Sequence, residues 1–455
     1  MSRVCRQVHV SSYYWSAGKM RLTVVRAMVG GLVSVLIILQ LIHLSMISWL
    51  ENKATAITNG RRSAGSGSLP SRNNHSLRSR TKIHLEAKLD TTGSYKIYHS
   101  YMKSTAAVSR KTHEALPSDV TLITQCSVNN LYHLVDLVVR WQGPMSVAVF
   151  SVGPDISTFN NILFTLRECF PGIKENVTFH LVQPITEITE TLSSSSAKAL
   201  PFTKLPCETI LSSLKEQTFQ ATSQTKNYAL QVPYPNNVLR NVARSGADSR
   251  FVFVIDIDML PSAHLRTQFL HLSRSSIILQ EETEYSKRTA FVVPAFEIQK
   301  GEEVPRTKER LVLDAAMYGR IRPFYVEDCP HCHNHTDYHR WERSKGTPGA
   351  VNIAYTVEWK PMWEPFYIGH RDVPLYDERF KQYGFNRISQ VCEMHVAGYN
   401  FAVLDTAFLI HKGFKEKSAY HAHKLQENRR NKELFLHFQE ELKVKYPESS
   451  KRCQT

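Results

Sequence analysis

The feature that most constrains the fold is the apolar run FVFVI at residues 251–255, which Asp256 and Asp258 follow at once. A strand without polar alternation is typical of sheets that helices cover on both faces. Strand and helix patterns also alternate from Asp119 onwards, as VTLITQ, SVNNLYHLVDLVVRW, MSVAVFSV, FNNILFTLRECF, VTFHLV and PNNVLRNVARSG. This alternation predicts an α/β fold with a Rossmann-like, mostly parallel sheet.

The positive charge of the chain is concentrated near its N-terminus. The 455 residues carry a formal net charge of +15, which by itself would suggest nucleic acid or an anionic surface as a partner. Residues 1–112 contain 17 Lys and Arg against 3 Asp and Glu, whereas residues 113–455 contain 39 against 38. A nearly neutral body without a stripe of basic and aromatic residues argues against nucleic-acid binding.

A single long apolar run, residues 27–50, contains no Asp, Glu, Lys or Arg. It is long enough to span a bilayer, and five basic residues before it predict a cytoplasmic N-terminus. A cleaved signal peptide is the alternative, although its apolar core would be shorter, about 7–15 residues. We therefore expect a single-pass type II protein with a cytoplasmic tail (1–26), a transmembrane signal anchor (27–50), a lumenal stem (51–112) and a lumenal folded domain (113–455).

Seven of the eight cysteines follow the predicted anchor, where disulfides can form. Their odd number leaves at least one thiol free or paired with another chain. The segment CPHCHNHTDYH, which begins at Cys329, has the composition of a zinc site. In an oxidising lumen, however, we expect a disulfide instead, either between Cys329 and Cys332 or to another cysteine. Three glycosylation sequons, at Asn74, Asn176 and Asn334, agree weakly with a lumenal location.

Asp256 and Asp258 lie beyond a buried strand, where open α/β sheets bind their ligands. Two carboxylates at this spacing can bind Mg²⁺ or Mn²⁺ together with a nucleotide diphosphate; the alternative is that they cap backbone N–H groups. A second segment, FLIHKGFKEK, places His411 at the end of another apolar strand. His411 is a candidate third metal ligand or an ordinary strand-end histidine. Gly413 and Lys415 are candidate partners of the phosphates.

Several ordered motifs carry a resemblance to a known family: NNVLRNVAR…VFVIDIDMLPS, VVPAFEI, WEPFYIG, YDERFKQYGFNRISQVCEMHVAGYNF and LIHKGFK. From about residue 115 to the C-terminus the chain resembles the β-1,4-glucuronyltransferases of the α-dystroglycan O-mannosyl glycan pathway and the glucuronyltransferase domain of the LARGE enzymes. The resemblance implies a GT-A glycosyltransferase fold in which Asp256, Asp258 and His411 bind the Mn²⁺ that holds the UDP diphosphate. It also implies that Cys329 and Cys332 are paired, and gives no reason to expect zinc.

The resemblance further implies a reaction and a location. Glucuronic acid would move from UDP-glucuronate to the 4-hydroxyl of a β-xylose on α-dystroglycan, which primes the glycan for LARGE-type elongation. The expected partners are the UDP-sugar, the glycan acceptor, the Golgi membrane through the anchor, and LARGE-type glycosyltransferases. The alternatives are a non-catalytic glycan-binding relative that keeps the fold, and a transferase of another sugar such as N-acetylglucosamine.

A β product from an α-linked donor requires inversion, and therefore one general base on the acceptor hydroxyl. The segment PLYDERF, just before a helix that we expect to begin near Tyr383, offers Asp377 and Glu378 as this base. A salt bridge with Arg379 is the structural alternative for both. Glu364, in the segment WEPFY, is a further candidate.

Arg240 and Asn241 precede the strand of the two aspartates. We interpret them as candidate contacts for UDP or its sugar, against the alternative of a solvated helix face. The carboxylate of the donor sugar requires a cation, preferably an arginine that binds it through two hydrogen bonds. The sequence leaves the choice between Arg240 and Arg387 open.

Overall fold

The structure, a computed structural model, describes residues 86–109, 118–152, 155–185, 207, 209–212, 214–215, 232–276, 283–415 and 423–453. They belong to a compact unit that spans residues 80–455. The predicted cytoplasmic tail, the anchor at 27–50 and most of the predicted stem lie outside the described residues. Within the described ranges, no helix is long and apolar enough to cross a membrane.

Strands and helices alternate along the first half of the described chain, as the sequence predicts. The strands are β1 (Lys88–Leu89), β2 (Tyr95–Met102), β3 (Val120–Ser127), β4 (Met145–Phe150), β5 (Val177–Pro184), β6 (Phe251–Val254), β7 (Met259–Pro261), β8 (Thr289–Val293), β9 (Ala295–Ile298), β10 (Ile321–Pro323), β11 (Ile353–Val357), β12 (Phe366–His370), β13 (Asn400–Leu404) and β14 (Leu409–Lys412).

The α-helices are α1 (Thr105–Ser109), α2 (His133–Trp141), α3 (Asp155–Cys169), α4 (Pro171–Asn176), α5 (Asn236–Ser245), α6 (Leu265–Ser275), α7 (Glu284–Lys287), α8 (Lys308–Tyr318), α9 (Pro330–His333), α10 (Tyr338–Arg343), α11 (Ile388–Val396) and α12 (Lys424–Lys445). Single 3₁₀ turns precede α2 and follow α9, at Val128–Asn130 and Asn334–Thr336.

The described strands form a large mixed sheet in the order β1-β2-β5-β4-β3-β6-β12-β8-β13-β11. Strands β5, β4, β3 and β6 are parallel, as the alternation of strands and helices predicts. The expectation of a mostly parallel sheet is nevertheless wrong, because β12 inserts antiparallel between β6 and β8, and antiparallel strands flank both ends. The residue pattern of a strand contains no information on the direction of the strands beside it.

Strand β6 is buried on both faces, as its continuous apolar pattern predicts. Phe251 and Phe253 pack into one apolar cluster with residues of α2, α3 and α6. Val252 and Val254 point into the cluster on the other face, which contains residues of α5 and α11. Because consecutive side chains of a strand point to opposite faces, β6 joins the two halves of the core and holds the turn after it in a fixed position.

A second sheet consists of four described strands in the order β10-β9-β14-β7. Its strand β7 directly follows this turn in the chain. Strand β14 pairs antiparallel with β7, and His411 is directly opposite Met259. Since Met259 follows Asp258, this register brings the aspartate and the histidine together.

Strand β6 ends at Val254, so both aspartates lie beyond the strand as expected, in a turn in which the Met259 N–H donates to the Asp256 carbonyl at 3.1 Å. Two boundaries differ from the sequence-based expectation. The helix expected near Tyr383 begins at Ile388. Strand β2, from the predicted stem, pairs with β5, so the folded body begins before residue 113.

The described residues contain three disulfides: Cys169–Cys207, Cys329–Cys332 and Cys392–Cys453. The second agrees with the expected disulfide in the segment CPHC. Cys126 is free and buried, and burial raises the pKa of its thiol to about 12. The odd cysteine is therefore an unreactive core residue of β3.

Candidate active site

A cavity of about 480 Å³ opens at the carboxyl end of β6. This is the edge at which open α/β sheets bind their ligands. Charged side chains dominate one part of its wall, which includes Arg240, Asp256, Asp258, Glu364, Arg387 and Lys415. The cavity therefore brings together residues that are far apart in the sequence.

Asp258 lies between two basic side chains. Its Oδ2 is 3.0 Å from His411 Nε2 and 3.5 Å from Lys415 Nζ. Burial alone would raise the pKa of Asp258, but the hydrogen bond and charge of His411, together with the charge of Lys415, lower it overall. The carboxylate is therefore ionised, and the structure brings Asp258, His411 and Lys415 together.

The orientation of the His411 ring suits a metal ligand. Nδ1 lies 2.6 Å from the carbonyl oxygen of Gly413, and because a carbonyl oxygen only accepts, Nδ1 carries a proton. Nε2 then faces the Asp258 carboxylate at 3.0 Å, and a cation that took the place of a proton between these two groups would have both as ligands. An imidazole fixed in this way by a backbone carbonyl is typical of metal-binding histidines.

Asp256, the third predicted metal ligand, interacts with arginines instead. Arg387 donates from Nη2 to its Oδ1 at 2.6 Å, and Arg240 Nη2 lies 3.6 Å from the same oxygen. Burial raises the pKa of Asp256, but the charges of Arg387 and Arg240 outweigh this effect and lower it. Accordingly, the part of the chain that the structure describes contains no group of three or more His, Cys, Asp or Glu side chains placed to share a metal ion.

The two arginines are held on the cavity wall by different contacts. Arg240, on α5, donates to the side-chain oxygens of Asn237 at 2.9 Å and Asn386 at 2.7 Å. Arg387 precedes α11, and its guanidinium lies over the Phe366 ring at 4.3 Å. Both side chains are almost fully buried, and their two positive charges act on the Asp256 carboxylate and on the carboxyl group of Glu364.

Gly413 and Asn241 have supporting positions and do not contribute to the cavity wall. Gly413 has φ +91°, a conformation that favours glycine, and its carbonyl orients His411. Asn241 donates to the Tyr376 carbonyl and to Glu378 Oε1, at 2.8 and 3.0 Å. Asn241 therefore fixes the loop after β12 and is not placed to contact a donor in the cavity.

The predicted bases Asp377 and Glu378 also lie outside the cavity wall. Asp377 forms a salt bridge with Arg379, which also binds Glu441. Glu378 accepts hydrogen bonds from Asn241 and from the Thr91 hydroxyl. The structural alternative for Asp377, a salt bridge with Arg379, is present in the structure, and both carboxylates have partners away from the two aspartates.

Glu364, named above as a further candidate base, lies on the cavity wall. Burial raises the pKa of its carboxyl group to about 7, although the charges of Arg387 and Arg240 oppose this shift. Its N–H donates to the Cys332 carbonyl at 2.8 Å, so the disulfide loop Cys329–Cys332 borders the same site. The signal in the sequence is an acidic residue among aromatic residues, two positions before a buried strand.

Comparisons with known proteins identify close relatives. The chain is 38% identical over 425 residues to the Danio rerio protein named Beta-1,4-glucuronyltransferase 1, covering 91% of this chain and 95% of that protein. It is 40% identical over 381 residues to the Homo sapiens protein of the same name, covering 82% and 85%. The Mus musculus Xylosyl- and glucuronyltransferase LARGE2 is 30% identical over 298 residues, covering 65% of this chain and 34% of that protein.

Solved structures are more distant. Staphylococcus aureus TarS 1-349 in complex with UDP-GlcNAc is 10% identical, covers 74% of this chain and 68% of that chain, and has a TM-score of 0.35. A family model described as "Glycosyl-transferase for dystroglycan" matches residues 119–447, which include every residue of the cavity wall named above. This chain therefore belongs to the family of glycosyltransferases for dystroglycan.

Proposed function

We propose that this chain is a metal-dependent, inverting β-1,4-glucuronyltransferase with a GT-A fold. It moves glucuronic acid from UDP-glucuronate to a β-xylose on the O-mannosyl glycan of α-dystroglycan, and so primes LARGE-type elongation. The similarity to proteins named Beta-1,4-glucuronyltransferase 1 supports the reaction and the linkage. The acceptor sugar is inferred from the resemblance of the sequence motifs.

The observation that carries the choice of donor is the pair of guanidinium groups beside Asp256. Arg387 donates one hydrogen bond among the described residues, to Asp256, which leaves most of its five donors for a ligand. Arg387 and Arg240 face the Asp256 carboxylate and the Glu364 carboxyl group, which is only partly ionised near neutral pH because its pKa is raised to about 7, so positive charge remains to be balanced. The carboxylate of a glucuronate balances it, and the planar fork of Arg387 matches a carboxylate in geometry.

The diphosphate of the donor is proposed to lie at the other end of the charged wall. Asp258 and His411 would hold Mn²⁺ there, Asp256 would approach it from the adjacent turn, and the diphosphate oxygens would complete the coordination. When bound, Mn²⁺ neutralises charge that develops on the leaving UDP. The ammonium group of Lys415 adds a positive charge. The backbone of Lys415 is held in place because its N–H donates to the Glu297 carboxylate at 3.0 Å.

We further propose that the protein is a single-pass type II protein of the Golgi membrane, anchored by residues 27–50, with residues 51–455 in the lumen. The three disulfides support an oxidising compartment. Association with LARGE-type glycosyltransferases is proposed because the product of this reaction would be their acceptor.

The proposal is tested by incubating the detergent-solubilised full chain with Mn²⁺, UDP-glucuronate and an aryl β-xyloside, and analysing the product by mass spectrometry and NMR. We expect a β-1,4-linked glucuronosyl-xyloside. UDP-xylose and UDP-N-acetylglucosamine serve as competing donors. Transfer from either of these but not from UDP-glucuronate would refute the donor assignment, and binding of UDP-sugars without turnover would favour the non-catalytic relative.

A further inference from the structure

We propose that Glu364 is the general base that activates the acceptor hydroxyl. This inference rests on the proposed inverting transfer and assigns a catalytic role within it. Three features of the site support this assignment. The other carboxylates of the cavity wall are paired with basic side chains, burial and nearby charges make Glu364 a suitable base, and backbone contacts fix the position of Glu364.

Glu364 is the carboxylate on the cavity wall that has no partner in the part of the chain that the structure describes. Asp256 pairs with Arg387, and Asp258 pairs with His411 and Lys415. Asp328 lies close enough to Lys424 for their charges to interact. No described side chain or N–H donates to the Glu364 carboxylate, so its oxygens are available for a hydroxyl group of a substrate.

The charges around Glu364 suit a base. Arg387, Arg240 and Asp256 are the charged groups that act on it, and burial of the carboxyl group outweighs the two arginines. A carboxylate with a pKa raised to about 7 is still ionised in part near neutral pH, and it is a stronger base than an exposed glutamate. Asp377 and Glu378 lack such surroundings because each has fixed partners outside the cavity.

The position of Glu364 is defined from both sides. On one side its N–H donates to the carbonyl of Cys332, within the loop closed by the disulfide Cys329–Cys332. On the other side β12 begins at Phe366, whose ring stacks on the buried His333 with an interplanar angle of 5°. A base held by backbone contacts can keep its distance to a substrate hydroxyl, which the reaction geometry requires.

In the reaction, the Glu364 carboxylate takes the proton of the acceptor 4-hydroxyl. The hydroxyl oxygen forms its bond to the anomeric carbon of glucuronate on the face opposite the nucleotide. The bond from that carbon to the diphosphate oxygen breaks, and the electron pair leaves with UDP. Glu364 then releases the proton to solvent, and no other reactant is required.

The test compares Glu364→Gln with Glu358→Gln, a matched change of an exposed glutamate outside the cavity. For Glu364→Gln we expect kcat to fall by about 10²- to 10⁴-fold, with the Kd for UDP-glucuronate, measured by calorimetry, unchanged within a few-fold. Glu358→Gln should retain wild-type kcat. Parallel Asp377→Asn and Glu378→Gln variants compare the other two candidates directly.

A second measurement is the pH profile of kcat in the wild type. We expect kcat to fall as pH decreases below about 7, where Glu364 takes up a proton, and Glu364→Asp to keep an acid limb. The inference is overturned if Glu364→Gln turns over normally, if wild-type kcat is flat between pH 7 and pH 5, or if turnover is lost in Asp377→Asn or Glu378→Gln but not in Glu364→Gln. Failure of the wild type to transfer glucuronate would instead refute the proposed function.

Discussion

The assignment of Arg387 to the donor carboxylate predicts a change in selectivity when this side chain is replaced by methionine. Methionine keeps an unbranched side chain that packs over Phe366 but removes the charge and all five N–H donors. UDP-glucuronate and UDP-glucose differ only at C6, where one has a carboxylate and the other a hydroxymethyl group. Loss of an Arg387–carboxylate contact should therefore weaken binding of the first donor and spare the second.

The magnitude follows from the type of contact. A hydrogen bond to a charged group contributes about 1.5–3 kcal/mol, which corresponds to roughly 10- to 150-fold in affinity. Replacement of Arg387 also leaves Asp256 with Arg240 alone, at 3.6 Å. That disturbance is common to both donors, so it cancels when the two affinities are divided, and the ratio isolates the carboxylate contact.

The assay measures inhibition constants of UDP-glucuronate and UDP-glucose for wild type and Arg387→Met under identical Mn²⁺ and salt concentrations. We expect the preference for UDP-glucuronate to fall by roughly 10- to 150-fold. Arg379→Gln, which removes an exposed arginine bound to Asp377 and Glu441, is the control and should leave the preference unchanged. An equal loss of affinity for both donors in Arg387→Met would refute the assignment and make Arg387 a structural partner of Asp256.

Three further predictions concern the metal, a disulfide and the pH dependence of stability. Asp258→Asn should fold normally but lose about 10²-fold or more in kcat, and EDTA should abolish wild-type activity until Mn²⁺ is restored; an active variant or EDTA-resistant enzyme would contradict the metal site. Replacing Cys392 and Cys453 by serine opens a loop of 61 residues and should lower the free energy of unfolding by about 4 kcal/mol, measured in urea; unchanged stability would contradict this. Buried His180 has its pKa lowered from 6.5 to about 3 by burial, so its contribution to stability is complete above pH 6.5 and lost as the pH falls towards 3. Between pH 7 and pH 4.5 the wild type should therefore lose about 2–3 kcal/mol more than His180→Gln, and equal losses would show that His180 is protonated in the fold.

Much of the fold could be predicted from local patterns. Periodicity predicted β3, β4, β5, α2, α3 and α5, because the side chains of a segment repeat with the period of the backbone that buries them. The continuous apolar run of β6 likewise predicted burial on both faces. The antiparallel insertion of β12 and the four-stranded second sheet could not be predicted in this way, because strand neighbours are chosen by packing between distant segments.

The sequence by itself determined that Asp256 and Asp258 lie at the open end of a buried strand, since this depends only on the residues that adjoin them. The tertiary structure decided which groups they meet. His411, 153 residues from Asp258, reaches it through the pairing of β14 with β7, and Arg387, 131 residues from Asp256, reaches it from the start of α11. The same packing places Glu364 on the cavity wall and leaves Asp377 in a salt bridge outside it. Partners, charge balance and hence pKa values depend on distances across the fold, which no local pattern of residues contains.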